Sequence, residues 1–203
     1  KVASVASFFV SRVDTSVDSQ LESLGKSGLT GQAAIANAKL AYQIYKREFS
    51  SPRFAALKER GAQAQRLLWA STGTKNPNFK DVLYVEELIG DNTVNTMPPS
   101  IINAFRDHGS CRPSLEEGLA VARQTWASLE SILNVPVLLQ KLEEDGLRSF
   151  TQSYETLMGR LAAKKEIILA EADRLEKGLA RLREAQFSAR LWRKDASLWK
   201  SEK

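Results

Sequence analysis

Two apolar runs of the same design set the limits on what this chain can fold into. Residues 2–14 read Val-Ala-Ser-Val-Ala-Ser-Phe-Phe-Val-Ser-Arg-Val-Asp, an almost unbroken β-branched and aromatic stretch that closes on Ser11, Arg12 and Asp14. Residues 67–77 read Leu-Leu-Trp-Ala-Ser-Thr-Gly-Thr-Lys-Asn-Pro and likewise pass from an apolar core to hydroxyls, a glycine and a cation. Runs of this kind read as strands buried on both faces of a parallel sheet. Their polar residues gather at the C-terminal ends, where parallel α/β folds carry their chemistry. Two strands with one polar signature at the same end imply one shared site.

The stretch between them has the size of a crossover. Residues 14–27 are polar and read as a long βα loop with Gly25 and Gly28 as breakers. Ala33, Ala36, Leu40 and Ile44 recur at helical spacing and predict an amphipathic helix over residues 31–49. Ser51-Pro52 starts a shorter helix by the N-cap and proline-first rule, with Phe54 and Leu57 on its inner face. The unit is β-α-β and implies a right-handed crossover between parallel strands. A short helix at 81–89, a short strand at 93–97 and a helix at 100–107 repeat the alternation, which defines an α/β chain.

The second half changes character. Ser114-x-x-Glu117 reads as a capping box leading a helix with Leu115, Leu119, Ala122, Trp126 and Leu129 on one face. Pro136 restarts the chain into a segment closed by Asp145-Gly146, after which Leu147, Phe150, Tyr154, Leu157 and Leu161 mark a longer helix. Residues 164–184 are rich in Ala, Glu, Leu, Lys and Arg and continue as helix. Trp192 and Trp199 read as packing anchors against a neighbouring domain. The expected organisation is β/α units over 1–112, packed helices over 113–170, and a helical tail or linker over 171–203.

Composition removes several classes. The formal net charge of +5 comes from cations spread along the chain and mixed with Glu, without the interleaved aromatics of a nucleic-acid groove. No apolar run is long enough to span a bilayer. A lone cysteine, Cys111, rules out an internal disulfide or a multi-cysteine zinc site and fits a reducing, cytosolic setting. The only histidine, His108, precedes Gly109 at an expected helix end, where a C-terminal capping role outweighs a catalytic one.

Three strands with their helices leave a parallel sheet with an open edge. A complete (β/α)₈ barrel needs about 250 residues, so the arrangement fits its last three units, about strands six to eight, followed by extra helices. Lys1 leads directly into a core-type strand, so the start reads as the cut end of a longer chain. Barrels hold phosphate beyond the seventh and eighth strands. Residues 71–75, Ser-Thr-Gly-Thr-Lys, supply hydroxyls, amides near a glycine and an ammonium, and Arg12 supplies a forked donor. Each also has a structural reading: strand-end hydroxyls cap turns, Arg12 beside Asp14 makes an ion pair, and Lys75 before Asn-Pro is a solvated loop lysine.

The runs at 6–14, 68–77 and 93–98, with the pattern Leu-x-x-Leu-x-x-Asp-Gly-x-x-x-Phe at 139–150, closely resemble transaldolase of the longer-chain bacterial and plant branch, over residues 1 to about 170. The resemblance implies a (β/α)₈ barrel, with residues 2–10, 67–71 and 93–97 as its sixth, seventh and eighth strands. It implies transfer of a dihydroxyacetone unit between sugar phosphates of the pentose phosphate pathway, without a cofactor, through a lysine Schiff base. No lysine of this chain matches that nucleophile, which belongs to a strand of the missing N-terminal barrel half. The substrate-holding side carries over: Ser7 beside the sugar hydroxyls, Arg12 and Ser71 on the phosphate. Where many relatives have a second arginine two residues after that serine, this chain has Gly73, and Lys75 stands in for the charge. Residues 179–199 are similar to the junction in fused transaldolase–glucose-6-phosphate isomerase proteins.

A rival reading belongs to another class. The basic amphipathic region at 164–193 would make the chain a non-catalytic, helix-rich module that binds a partner helix or another subunit.

Overall fold

The computed structural model describes residues 2–195 and residue 197. Two compact units divide the chain, Lys1–Asp145 and Gly146–Lys203. The first is built on a parallel sheet of β1 (Val5–Phe9), β2 (Arg66–Ala70) and β3 (Thr93–Asn95), in the order β1-β2-β3. Its helices are α1 (Ser11–Ser23), α2 (Ala33–Phe49), α3 (Pro52–Glu59), α4 (Leu83–Glu87), α5 (Pro99–His108) and α6 (Leu119–Ile132). The fold is therefore α/β, with every expected strand and crossover helix in its place.

Register decides which residues share a face. Ser7 pairs with Leu68, Phe8 with Trp69 and Phe9 with Ala70, while Leu68 pairs with Val94. Side chains alternate along a strand, so Phe8 and Trp69 point the same way, and their rings meet edge to face at 5.6 Å. That face lies against the helices in a core holding Val13, Val17, Leu21, Ala34, Ala38 and Trp69. The opposite face, with Val5, Ser7 and Phe9, stays open: Val5 is 39% and Phe9 36% exposed. Burial of β1 on both faces, expected from its composition, does not hold, because helices cover only one side of this sheet.

Four further differences have clear causes. Residues 14–23 are helix rather than loop, and the chain leaves it only at Leu24 and Gly25: α1 starts directly after Val10, and Val13, Val17 and Leu21 bury one stripe. Its polarity is explained by Asp14 and Asp18, which share the buried side and are fully partnered. Ser114 caps no α-helix. Its hydroxyl donates to the Glu86 carbonyl and accepts the Ile89 N–H at 3.3 Å, while α6 begins only after Gly118, in the left-handed region at φ 64°. Pro136 and Asp145-Gly146 neither restart nor end a helix, because α7 runs from Val135 to Glu184. Proline is tolerated in a first turn, and an interior glycine costs only about 1 kcal/mol. In α3, Ser51 does cap the Phe54 N–H, and Phe54 packs on Phe49 at 4.8 Å, but Leu57 faces outward at 42% exposure.

The joint between α1 and α2 is made by carboxylates. Gln32 precedes α2 without a side-chain cap, so the helix's first amides need acceptors from elsewhere. Asp14 supplies one: Oδ1 accepts the Ala34 N–H at 2.7 Å, and Oδ2 accepts the Tyr84 hydroxyl at 2.7 Å. Asp18, one turn on, accepts the Gly31 N–H at 3.0 and 3.2 Å. Gly31 sits at φ +74°, and a Cβ there would lie 2.7 Å from the Phe79 ring, so only glycine fits.

The second unit continues α7 beyond Gly146 and ends in α8 (Phe187–Trp192). Trp192 is 88% exposed, and Trp199 lies outside the described residues. No helix among the described residues is long and apolar enough to cross a membrane.

Removing the Asp14 carboxylate strands two buried donors, each worth about 1–3 kcal/mol. Asp14→Ala is therefore expected to lower unfolding free energy by about 3 kcal/mol or more, and Asp14→Asn, which keeps an acceptor, by distinctly less. Urea denaturation of both variants checks this; equal losses would mean that the hydrogen bonds contribute little.

Candidate functional site

The C-terminal ends of β1 and β2 are locked together by backbone and hydroxyl groups. The Val10 N–H donates to the Ala70 carbonyl at 2.9 Å, and the Ser11 N–H to the Ser71 carbonyl at 3.1 Å. The Ser11 and Ser71 hydroxyls lie 3.2 Å apart. To reach this position Ser71 adopts φ 58°, the left-handed region that a residue with a Cβ rarely occupies. Strain of this kind persists where surrounding structure over-determines it, often at functional sites. Next to it Thr72, fully buried, donates to either the Asn95 side-chain oxygen at 2.9 Å or the Thr96 carbonyl at 3.2 Å and ties the end of β2 to β3.

The four sequence-predicted residues fall in different places. Ser71 sits in this hydroxyl pair, with Ser11, a partner the sequence reading did not single out. Arg12 lies in the first turn of α1, directly after Ser11, exposed, with its guanidinium 4.8 Å from the centre of the Phe9 ring. Ser7 is inside β1, exposed on the open sheet face that also carries Phe9. Lys75 lines a separate cavity of about 190 Å³ whose wall includes Asp14, Asp18, Glu22 and Tyr84.

These two neighbourhoods differ in charge. At the strand ends the polar side chains are the Ser11 and Ser71 hydroxyls, while the Arg12 guanidinium lies over the Phe9 ring. The cavity beside Lys75 is acidic. Burial pushes the Asp18 carboxyl up to about 6, aided by the nearby charges of Asp14 and Glu22 and opposed by the Gly31 N–H. Burial also raises Asp14, against the hydrogen bonds from Tyr84 and Ala34, and raises the Tyr84 phenol in turn. A signal for this cluster is present in the chain: Asp14 and Asp18 stand one helical turn apart among Val13, Val17 and Leu21.

His108 ends α5 as expected, but its ring is engaged by carboxylates and not by the helix's last carbonyls. Its ring nitrogens meet Asp81 at 2.9 Å and Asp107 at 3.1 Å, which raises its pKa. No group of three or more His, Cys, Asp or Glu among the described residues is arranged to hold a metal ion.

The model of the transaldolase/fructose-6-phosphate aldolase family matches residues 1–161. The chain belongs to this family. Its relatives include the transaldolase of Mycolicibacterium smegmatis, 46% identical over 175 residues, covering 82% of this chain and 47% of the relative. The Transaldolase 2 of a Nostoc species is 40% identical, covering 83% and 48%, and the transaldolase of Neisseria meningitidis 46% identical, covering 77% and 44%. The chain thus spans about half the length of the curated transaldolases it matches.

Ser71 separates backbone strain from hydroxyl chemistry. Ser71→Ala and Ser71→Gly both lose the contact to Ser11, but glycine adopts φ 58° without a Cβ penalty. The glycine variant is expected to be about 1 kcal/mol more stable than the alanine variant, read from denaturant midpoints; the reverse order would deny that the backbone is strained.

Asp18 predicts a pH dependence with a definite sign. Between pH 3.8 and about 6 the folded state holds a proton that the unfolded state has released, so this carboxyl lowers stability as pH rises through that window. Asp18→Asn removes the effect. From pH 4 to 6.5 its unfolding free energy is expected to gain on that of the parent by on the order of 1–3 kcal/mol. Parallel stability curves for the two proteins would rule Asp18 out as the source.

Proposed function

We propose that this chain is part of a transaldolase that transfers a dihydroxyacetone unit from a ketose phosphate to an aldose phosphate. In this reading β1, β2 and β3 are the sixth, seventh and eighth strands of a (β/α)₈ barrel, and α6 and the start of α7 follow it. The observation that carries it is the sheet itself. Three parallel strands in sequence order are covered by helices on one face and bare on the other, with Ser7 and Phe9 on the bare side. That is the form expected of a barrel segment, whose inner face is covered by strands from across the barrel. Family membership and relatives of about twice this span support the same reading.

The chemistry divides between this segment and the rest. The Schiff-base lysine lies on a strand outside these residues, and this segment alone is inactive. Its contribution is to hold the substrate. Arg12, the Ser71 hydroxyl and the first turn of α1 bind the phosphate, by a guanidinium fork, a neutral donor and the positive end of a helix dipole. Ser7 orients the sugar chain from the inner face. Lys75 adds positive charge at the rim in place of an arginine at Gly73. Three carboxylates line the cavity that Lys75 faces, so Arg12 has the larger share of the phosphate. Groups of this kind act by positioning and need not move protons. The setting is cytoplasmic, and a sugar-phosphate isomerase domain follows in the parent chain.

In a chain that also carries the upstream strands, Arg12→Ala is expected to raise KM for fructose 6-phosphate by about tenfold or more, in keeping with loss of a charge-assisted contact. Unchanged KM and kcat/KM would remove Arg12 from the site. The division of chemistry is read by borohydride reduction of this segment with fructose 6-phosphate, followed by intact mass. An unmodified mass is expected here and a reduced three-carbon adduct on the longer chain; an adduct on a lysine of residues 1–203 would overturn the assignment.

A further inference from the structure

A serine hydroxyl carries one proton and two acceptor lone pairs, so two serines in contact have two protons to place. The Ser11 and Ser71 hydroxyls lie 3.2 Å apart, and distance alone allows either to donate. Burial decides between them. Ser11 is 1% exposed, and among the described residues its hydroxyl bonds to Ser71 and to nothing else. If Ser71 donated, the Ser11 proton would be left in the interior without an acceptor, at the full desolvation penalty of a buried donor. Ser11 therefore donates and Ser71 accepts. Ser71 is only half-buried, and its own proton has no acceptor among the described residues. That proton is left for a group arriving from solvent.

The backbone holds both oxygens where this arrangement needs them. The Ser11 N–H donates to the Ser71 carbonyl at 3.1 Å, and the Val10 N–H to the Ala70 carbonyl at 2.9 Å. The Thr15 hydroxyl donates to the Ser11 carbonyl at 2.9 Å, which keeps Ser11 in the first turn of α1. Ser71 meets it at φ 58°, a conformation disfavoured for a residue with a Cβ. The next residue, buried Thr72, is tied through its hydroxyl to Asn95 and Thr96 at the end of β3. The strained turn is thus pinned on both sides. It leaves Ser71 as an acceptor toward the interior and a donor toward solvent, and a hydroxyl that accepts one hydrogen bond donates the next more strongly.

We propose that Ser11 is a positioning residue for phosphate binding: its buried hydroxyl donates to Ser71 and thereby commits the Ser71 proton to an acceptor oxygen of the substrate phosphate. This role rests on the sugar-phosphate reading of Ser71 and adds the direction of the hydrogen-bond chain, from Ser11 through Ser71 to the ligand. Ser11 itself touches no substrate.

The test compares Ser11→Ala, Ser71→Ala and the double variant in a chain that also carries the upstream strands. Two readouts are taken, KM for fructose 6-phosphate and competitive inhibition by inorganic phosphate. Ser11→Ala is expected to raise KM and weaken phosphate inhibition by about three- to tenfold, with the change falling on KM and not on kcat, and Ser71→Ala by at least as much. The double variant should match Ser71→Ala, because Ser11 acts only through the hydroxyl already removed. Ser11→Cys, which keeps a weak donor, should fall between the parent and Ser11→Ala, and it carries the same comparison if the alanine variant does not fold. Effects that multiply in the double variant overturn the proposal, since Ser11 would then act independently of Ser71. So does parental KM and phosphate inhibition in Ser11→Ala while Ser71→Ala is impaired. If Ser71→Ala is itself unchanged in both readouts, the sugar-phosphate reading of Ser71 falls, and the role of Ser11 with it.

Discussion

The first unit depends on one carboxylate. Asp14 reaches from α1 to the open N-terminus of α2 and to the Tyr84 hydroxyl on α4, with both oxygens occupied at 2.7 Å. It therefore joins the helix after β1, the crossover helix and the helix after β2. Burying a carboxylate is costly unless donors surround it. Here the donors include the first amides of a helix, whose dipole also favours negative charge. The same contacts fix α1 against the sheet, and with it the position of Ser11 and Arg12 at the end of β1. Asp18 repeats the device one turn later on the Gly31 amide, at a glycine that the Phe79 ring makes obligatory.

The candidate site follows from that anchoring. Ser71 is held in a left-handed conformation by the backbone bond from Ser11 and the adjoining Thr72 contacts to β3. Its hydroxyl is thereby aimed at the N-terminal turn of α1 rather than along the strand. Electrostatics then separates two neighbourhoods only a few residues apart in sequence. The Ser11 and Ser71 hydroxyls meet at one, while Asp14, Asp18 and Glu22 make the other acidic. Lys75 stands on the wall of the acidic one.

Much of this was legible in the sequence. The two apolar runs with polar ends located β1 and β2, the α/β alternation placed the short third strand, and Ser51-Pro52 marked the start of α3. The tail's helical composition was equally readable. What escaped was local chemistry overruled by distant partners. Residues 14–27 looked like a loop because Asp14 and Asp18 occupy the buried stripe, and their partners, Ala34, Tyr84 and Gly31, lie 13 to 70 positions away. Ser114 looked like a cap because Glu117 follows at the right spacing, yet its hydroxyl is engaged by Glu86 and Ile89. Pro136 looked like a boundary, although a helix absorbs a proline in its first turn, whereas Asp145-Gly146 does divide the two compact units without ending α7.

The sequence by itself determined the α/β alternation, the three strands, the polar chemistry at their ends and the helix-forming composition of residues 164–184. Those features are periodic or contiguous, so neighbouring residues suffice to specify them. Only tertiary structure decided that one sheet face stays open and that the Ser71 backbone is forced left-handed. It alone decided that Lys75 faces carboxylates, while Ser71 meets Ser11. Each of these is set by the register of parallel strands and by hydrogen bonds across long sequence separations, which no local pattern encodes.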